Sequence, residues 1–237
     1  MAPFIGSWLG VLIRRWPRRR PVALARSRCE QCGHVLGVAD LVPLLSFAWL
    51  RGRCRYCGAG IGWFHPGVEA AALAIALVCL AVGGEGARPW LAAGLGWVLL
   101  CAAWIDAETM LLPDLLTLPL ILAGLAVTWA ERPSALSDHA AAAALGYLGF
   151  KALDAAYYRL RRRHGLGQGD AKLMAAAGAW LGAAALPGVI LVAGLAGLAM
   201  ALALVWLGRL ARGAALPFGP ALALAFFMLA LAPGGLP

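Results

Sequence analysis

Long apolar runs, separated by short polar segments, organise the whole chain. A run of roughly 20 apolar residues is typical of a helix that crosses a bilayer. The runs cover residues 2–13, 66–82, 90–105, 111–130, 140–157, 173–186, 189–207 and 218–231. They predict an all-α polytopic membrane protein with about eight transmembrane helices. Seven is the alternative, because the first and sixth runs are short and because Lys151 and Asp154, which could pair or mark the end of that helix, interrupt the fifth.

Composition supports this class of protein. Of the 237 residues, 62% are hydrophobic and 13% are charged, whereas soluble domains contain about 25% charged residues. The net charge of +9 is compatible with nucleic-acid binding, but the distribution of arginines along the chain favours a role at the membrane surface, near anionic lipid head groups.

The arginines also predict an orientation. Ten lie between the first two runs: Arg14, Arg15, Arg18, Arg19, Arg20, Arg26, Arg28, Arg51, Arg53 and Arg55. Those after the fifth and seventh runs are Arg159, Arg161, Arg162, Arg163, Arg209 and Arg212, and the intervening loops hold only Arg88 and Arg132. Because positive loops remain in the cytoplasm, we expect these basic loops to be cytoplasmic and both termini to lie outside.

The first basic loop contains two CxxC pairs, Cys29/Cys32 and Cys54/Cys57, separated by 21 residues. This spacing is close to that of four-cysteine zinc ribbons, in which each pair lies on a tight turn. Disulfides or redox CxxC motifs are the alternative, but a cytoplasmic loop is reducing. We therefore predict a structural zinc site, because four thiolates leave no open coordination position.

Two acidic residues lie beside apolar runs: Asp106 follows the third, and Asp170 precedes the sixth within GQGDAK at 167–172. A carboxylate at a membrane costs at least roughly 2–3 kcal/mol, so such acids are functional candidates. Both are expected at the cytoplasmic side, where they could meet. Two adjacent carboxyl groups can share one proton and activate water, which predicts an aspartyl protease. Glu108 and Asp114 remain open as alternative partners.

These motifs together resemble the type IV prepilin peptidase family. The resemblance covers nearly the whole chain: GSWL at 6–9, both cysteine pairs, PGVE at 66–69, LPDLLTLP at 112–119 and GLGQGDAKL at 165–173. Three residues, Gly10, Glu30 and His65, differ from those common in the family.

The resemblance implies that Asp106 and Asp170 are the catalytic pair, and that the enzyme cleaves prepilin or pseudopilin leaders at the cytoplasmic face of the bacterial inner membrane. It also implies N-methylation of the new N-terminus with S-adenosylmethionine, and zinc binding by the four cysteines. The expected parts of the chain are a first transmembrane helix (1–17), a cytoplasmic zinc-binding loop (18–65) and a transmembrane aspartyl protease core (66–237).

In the expected mechanism, one ionised aspartate takes a proton from water and the other, protonated, polarises the scissile carbonyl. The roles stay unassigned, because coupled acids titrate as a pair. Lys172 is expected to anchor a helix end at the head groups rather than to lower the pKa of a carboxyl group. Glu69 is expected to have a structural or substrate-docking role, with a solvated helix-end acid as the alternative.

Other classes of function fit less of the sequence. A presenilin-like intramembrane protease would explain the Gly-x-Gly-Asp string but not the cysteine loop. A metal-sensing transporter would explain membrane acids but not their combination with that loop. An inactive scaffold of a pilus machine would not need the two acids.

Overall fold

A computed structural model of the chain describes residues 1–18, 21–22, 26–82, 86–208 and 216–236. Its helices are α1 (Ala2–Arg15), α2 (Leu45–Trp49), α3 (Phe64–Val82), α4 (Arg88–Thr109), α5 (Asp114–Glu131), α6 (Leu136–Arg161), α7 (Gln168–Leu181), α8 (Leu186–Trp206) and α9 (Gly219–Leu231). Within these residues, extended pairing is limited to two isolated bridges. Four of the predicted cytoplasmic arginines lie outside the described residues: Arg19, Arg20, Arg209 and Arg212.

Every one of the eight predicted apolar runs forms a helix, so the all-α prediction is confirmed. In the part of the chain that the structure describes, four helical segments are long and apolar enough to cross a membrane: α3, α4, α5 and the stretch Ala183–Trp206 that contains α8. Helices α1, α7 and α9 have 13 or 14 residues, or about 20 Å at 1.5 Å per residue, which is shorter than a hydrocarbon core of about 30 Å. The chain is therefore an all-helical membrane protein, while the count of eight spans stays a prediction.

The chain divides into two compact units, residues 1–84 and 85–237. In the first unit, α1 packs against α3 through small residues. A Cβ at Gly6 would lie 2.7 Å from the Cα of Glu69 and 2.9 Å from the Cβ of Ala72. The two backbones therefore approach closely, as small residues allow in membrane helices.

The second unit is built around α7, which packs on α5, α6 and α9. Every residue from Asp170 to Trp180 except Lys172 is buried. The packing depends on small residues, since a Cβ at Gly178 would lie 2.5 Å from the backbone of Ala142 on α6. A short, fully enclosed helix therefore positions Asp170 inside the bundle.

The sixth predicted run, residues 173–186, ends earlier in the structure. Helix α7 stops at Leu181, because Gly182 has φ +76°, a backbone conformation that glycine adopts without steric cost. A short 3₁₀ turn follows, and Leu186 begins α8. Hydrophobicity alone does not mark this break, since the turn itself consists of alanines.

Candidate active site and metal site

Asp106 lies in the last turn of α4, which ends where Met110 adopts a left-handed backbone with φ 53°. Its side chain is buried, with 6% of the residue exposed. Its Oδ2 accepts a hydrogen bond from the N–H of Gly219, the first residue of α9, at 2.9 Å. The Asp106 carboxyl group is therefore held by a residue of another helix, α9.

Asp170 lies in the first turn of α7, ahead of the apolar run that begins at Leu173 and thus outside the membrane-spanning segment. It is 7% exposed, and its Oδ2 accepts the N–H of Gly167 at 3.1 Å. Gly169 packs directly on Leu112, with no room for a side chain at position 169. The segment between α4 and α5 is therefore seated against the start of α7.

The two carboxyl groups interact electrostatically although they are 64 positions apart in the sequence. Burial, with the negative charge of Asp106 as the second cause, raises the pKa of the Asp170 carboxyl to about 6, against the opposing effect of the Gly167 N–H. Two such acids are more easily held with one proton between them than with none. The arrangement can supply both a general base and a general acid.

The two alternative acids are placed differently. Glu108 is exposed and accepts a hydrogen bond from the indole Nε1 of Trp104 at 3.2 Å. Asp114 is exposed at the start of α5 and forms an ion pair with Lys172. Lys172 therefore neutralises Asp114 rather than either buried acid, and its predicted role at the lipid head groups remains a prediction.

The segment that leads into α7 depends on Asp154, for which the sequence left open a pair with Lys151 or the end of a membrane helix. Its carboxylate instead accepts the N–H of Gly165 at 2.9 Å and that of Leu166 at 3.2 Å. It also pairs with the Nδ1 of His164 at 2.8 Å. Three contacts from one carboxylate hold the turn that begins the Gly-x-Gly-Asp string, a role that local spacing does not indicate.

Gly219 is a residue that sequence reasoning did not single out. It stands in the string PFGP at 217–220, where a glycine between prolines begins a helix. That context predicts a helix start but not its contact with Asp106, 113 positions away.

The four predicted zinc ligands form two matching turns. In each turn, the N–H of a glycine donates to the carbonyl of the first cysteine at 2.9 Å, from Gly33 to Cys29 and from Gly58 to Cys54. Both glycines have φ +71°, and antiparallel bridges flank both turns. The repeated geometry is that expected of the turns of a four-cysteine zinc ribbon.

The sulfur atoms of Cys29, Cys32, Cys54 and Cys57 all lie within 4.8 Å of one another. The Cys29 and Cys57 sulfurs are 3.9 Å apart, far beyond a disulfide bond of about 2.05 Å. That distance is close to the edge of about 3.8 Å of a tetrahedron with Zn–S bonds of about 2.3 Å. Backbone N–H groups of Cys32 and Gln31 lower the pKa of the Cys29 thiol to about 6, whereas burial and the neighbouring cysteines, against the N–H of Ala59, raise the pKa of the Cys57 thiol to about 11. The donor set and its spacing fit a metal ion.

Glu69 is buried and accepts the N–H of Leu44 at 2.9 Å. Leu44 has a left-handed backbone with φ 61°, so this bond holds a strained turn just before α2. The contact fits the structural alternative for Glu69 and excludes a solvated helix-end acid. Gly10 and His65 are neighbours, since a Cβ at Gly10 would lie 2.8 Å from the His65 Nδ1.

Two family models match the chain. The model of the bacterial peptidase A24 N-terminal domain matches residues 1–82, and that of the type IV leader peptidase family matches residues 93–202. The first range contains the four cysteines, and the second contains Asp106 and Asp170. No solved structure matches the chain.

Curated relatives named prepilin leader peptidase/N-methyltransferase align over most of the sequence. The relative from Burkholderia pseudomallei (strain K96243) is 44% identical over 87% of this chain and 67% of its own. The one from Aeromonas hydrophila is 43% identical over 84% and 69%, and that from Aeromonas salmonicida is 36% identical over 93% and 84%. The chain therefore belongs to the type IV leader peptidase family, and it is a membrane peptidase.

Proposed function

We propose that this peptidase removes the leader peptide from type IV prepilins or pseudopilins by two-aspartate activation of water. The names of its relatives supply the substrate class. The observation that carries the chemistry is the buried, electrostatically coupled pair Asp106 and Asp170. Both groups are enclosed, and each already accepts one backbone N–H.

In the proposed reaction, the ionised carboxylate takes one proton from a water molecule as its oxygen attacks the scissile carbonyl carbon. The protonated carboxyl group donates a hydrogen bond to the carbonyl oxygen, where negative charge develops. The C–N bond then breaks, and the proton taken from water passes to the leaving amine. The pair thereby returns to one shared proton, ready for another cycle.

We place the reaction at the cytoplasmic face of the inner membrane, with both termini on the other side. Eight crossings would bring the end of α4 and the start of α7 to the same side, which agrees with the proximity of Asp106 and Asp170. The basic loops after the first, fifth and seventh runs fall on that side too. The substrate's apolar helix would lie against the bundle, with its leader in the cytoplasm.

Cys29, Cys32, Cys54 and Cys57 would hold one Zn²⁺ in this proposal. Because the four sulfurs close the coordination sphere, the ion would order the loop and take no part in peptide cleavage. N-methylation of the new N-terminus with S-adenosylmethionine rests on the family resemblance and on the second half of the relatives' names.

The test is cleavage of a purified prepilin by the full-length protein reconstituted in lipid. We expect leader removal by the wild type and by Glu108→Gln, which keeps an acceptor for the Trp104 indole, and none by Asp106→Asn. A control substrate with the same apolar helix but no leader should remain intact. Cleavage of the control at a similar rate would indicate a general intramembrane protease and refute the proposal. Labelled S-adenosylmethionine in the same assay should mark the mature N-terminus, and unmarked product would remove methylation from the proposal.

A further inference from the structure

We propose that Gly219 is a positioning residue for the cleavage reaction: its N–H orients the Asp106 carboxylate, and the missing side chain at 219 leaves room for that carboxylate. The inference rests on the proposed function, in which Asp106 acts on the substrate. Gly219 lies beyond residues 93–202, the range that the family model matches.

The contact joins two helices that are distant in sequence. Helix α9 packs on α4, α7 and α8, and its first residue, Gly219, directs its N–H at the Oδ2 of Asp106 at 2.9 Å. The first N–H groups of a helix have no partner within the helix and carry partial positive charge. The start of α9 therefore both fixes the carboxylate and favours its ionised form.

Space, rather than backbone conformation, requires glycine at this position. Gly219 is not among the described glycines with positive φ, so any residue could adopt its backbone. A Cβ there would lie 2.6 Å from the Oδ2, 2.8 Å from the Cγ and 3.0 Å from the Cβ of Asp106. All three close atoms belong to one buried side chain, and ordinary van der Waals contact begins near 3.4 Å. An added methyl group must therefore displace the Asp106 carboxyl group by about 0.8 Å, or move the start of α9 by a similar distance.

The start of α9 has little freedom to make that movement. Residue 219 is itself buried, and the Phe218 ring faces Gly197 of α8, where an added Cβ would come within 3.4 Å of the ring. Ala221, in the same turn, is also buried. Displacement of the carboxylate is therefore the expected response.

The groups that can change the ionisation of Asp106 are few among the described residues. Asp170 on α7 is the titratable group with which it interacts electrostatically. Glu108, on the same helix, is exposed, and on the adjoining elements Asp114 and Lys172 pair with each other. Helix α9 has no titratable residue. A pH effect of changing Gly219 would therefore report on the Asp106–Asp170 pair.

The experiment compares Gly219→Ala with Gly188→Ala in the reconstituted full-length enzyme acting on prepilin. Gly188 is a matched control near the start of α8, where a Cβ would lie 3.0 Å from the flexible tip of Leu229. We expect Gly219→Ala to lower kcat about 100-fold, as displacement of about 1 Å in an active site commonly does. The acid limb of its kcat/KM profile should move to higher pH, because the ionised carboxylate loses a hydrogen bond. Gly188→Ala should match the wild type in both readouts.

Thermal unfolding gives a readout that does not depend on activity. Gly219→Ala is introduced into the wild type and into an Asp106→Ala background, where the overlapping Oδ2 and Cγ atoms are gone. The loss in Tm should shrink by at least half in the second background. Where Gly219→Ala alone does not fold, recovery of folded protein with Asp106→Ala supports the same conclusion.

Several outcomes would overturn the inference: kcat of Gly219→Ala within threefold of the wild type, an acid limb that does not move while kcat falls, or an equal loss of stability in both backgrounds. A wild-type enzyme that leaves prepilin uncleaved would instead refute the proposed function. The stability comparison would still decide whether Gly219 holds Asp106.

Discussion

The turn that leads into the Gly-x-Gly-Asp string depends on one carboxylate, and Asp154→Ala tests that dependence. Asp154 accepts N–H groups of Gly165 and Leu166 and pairs with His164. Its side chain is 14% exposed, so water replaces these contacts poorly. We predict that the substitution loosens this turn, and with it the start of α7, while the remainder of the bundle stays folded.

The size of the effect follows from the two backbone bonds. Hydrogen bonds to a charged group contribute about 1.5–3 kcal/mol each. Gly165 is exposed and can regain a bond from water, so the net loss should be about 2–3 kcal/mol. Since 1.4 kcal/mol is tenfold in an equilibrium, the ordered turn should become about 30- to 150-fold less favoured. Asp154→Asn keeps one acceptor oxygen and should therefore destabilise the ordered turn less than Asp154→Ala does.

The assay is steady-state cleavage of prepilin, with the folded fraction measured in parallel. We expect kcat/KM to fall about 10- to 100-fold for Asp154→Ala, with Asp154→Asn between it and the wild type. The matched control is Asp138→Ala, at the other end of α6, where the carboxylate accepts a longer N–H contact from Ala183 at 3.4 Å. If the kcat/KM of Asp154→Ala stays within twofold of the wild-type value, the Asp154 carboxylate does not order the site.

Three further predictions concern the metal, the first unit and the acid pair. Purified wild type should contain about one zinc equivalent and Cys54→Ser/Cys57→Ser none; metal-free wild type would refute the ribbon. Glu69→Ala leaves the half-buried N–H of Leu44 without its acceptor and should cost about 1–2 kcal/mol, seen as a lower Tm. Glu69→Gln keeps an acceptor and should lose less stability, and equal losses would contradict this contact. Because the pKa of Asp170 is raised to about 6, kcat/KM should fall as rising pH removes the shared proton, and a flat profile from about pH 6 to about pH 8 would contradict a required acid.

The helices were predictable because a helix that crosses lipid needs apolar side chains along its length, and these appear in the sequence as a long apolar run. The paired cysteines were equally informative, since ligand spacing and the glycines that follow each pair, Gly33 and Gly58, are local properties. The end of α7 was not predictable from hydrophobicity, because Gly182 and the alanines after it are as apolar as the helix. The helix ends because the backbone conformation changes at Gly182, and hydropathy carries no information on backbone conformation.

The residues of the candidate site were predictable, but the contacts that hold those residues in place were not. Charge topology placed Asp106 and Asp170 on one side, but Glu108 and Asp114 fitted equally well until burial separated the four acids. The contacts of Asp154 and Gly219 join segments whose proximity is set by helix packing. Spacing along the chain therefore offered Lys151 as one possible partner for Asp154 and no partner for Gly219.

The central claim is that Asp106 and Asp170 act as one catalytic unit. The most direct measurement is the rate of prepilin cleavage by Asp106→Asn, Asp170→Asn and the double variant, each confirmed as folded. Because groups that act together are strongly non-additive, we predict that either single substitution lowers kcat by about 10³-fold or more and that the double variant is no slower than the singles. Cleavage that survives either substitution, or losses that multiply in the double variant, would contradict the two-aspartate mechanism.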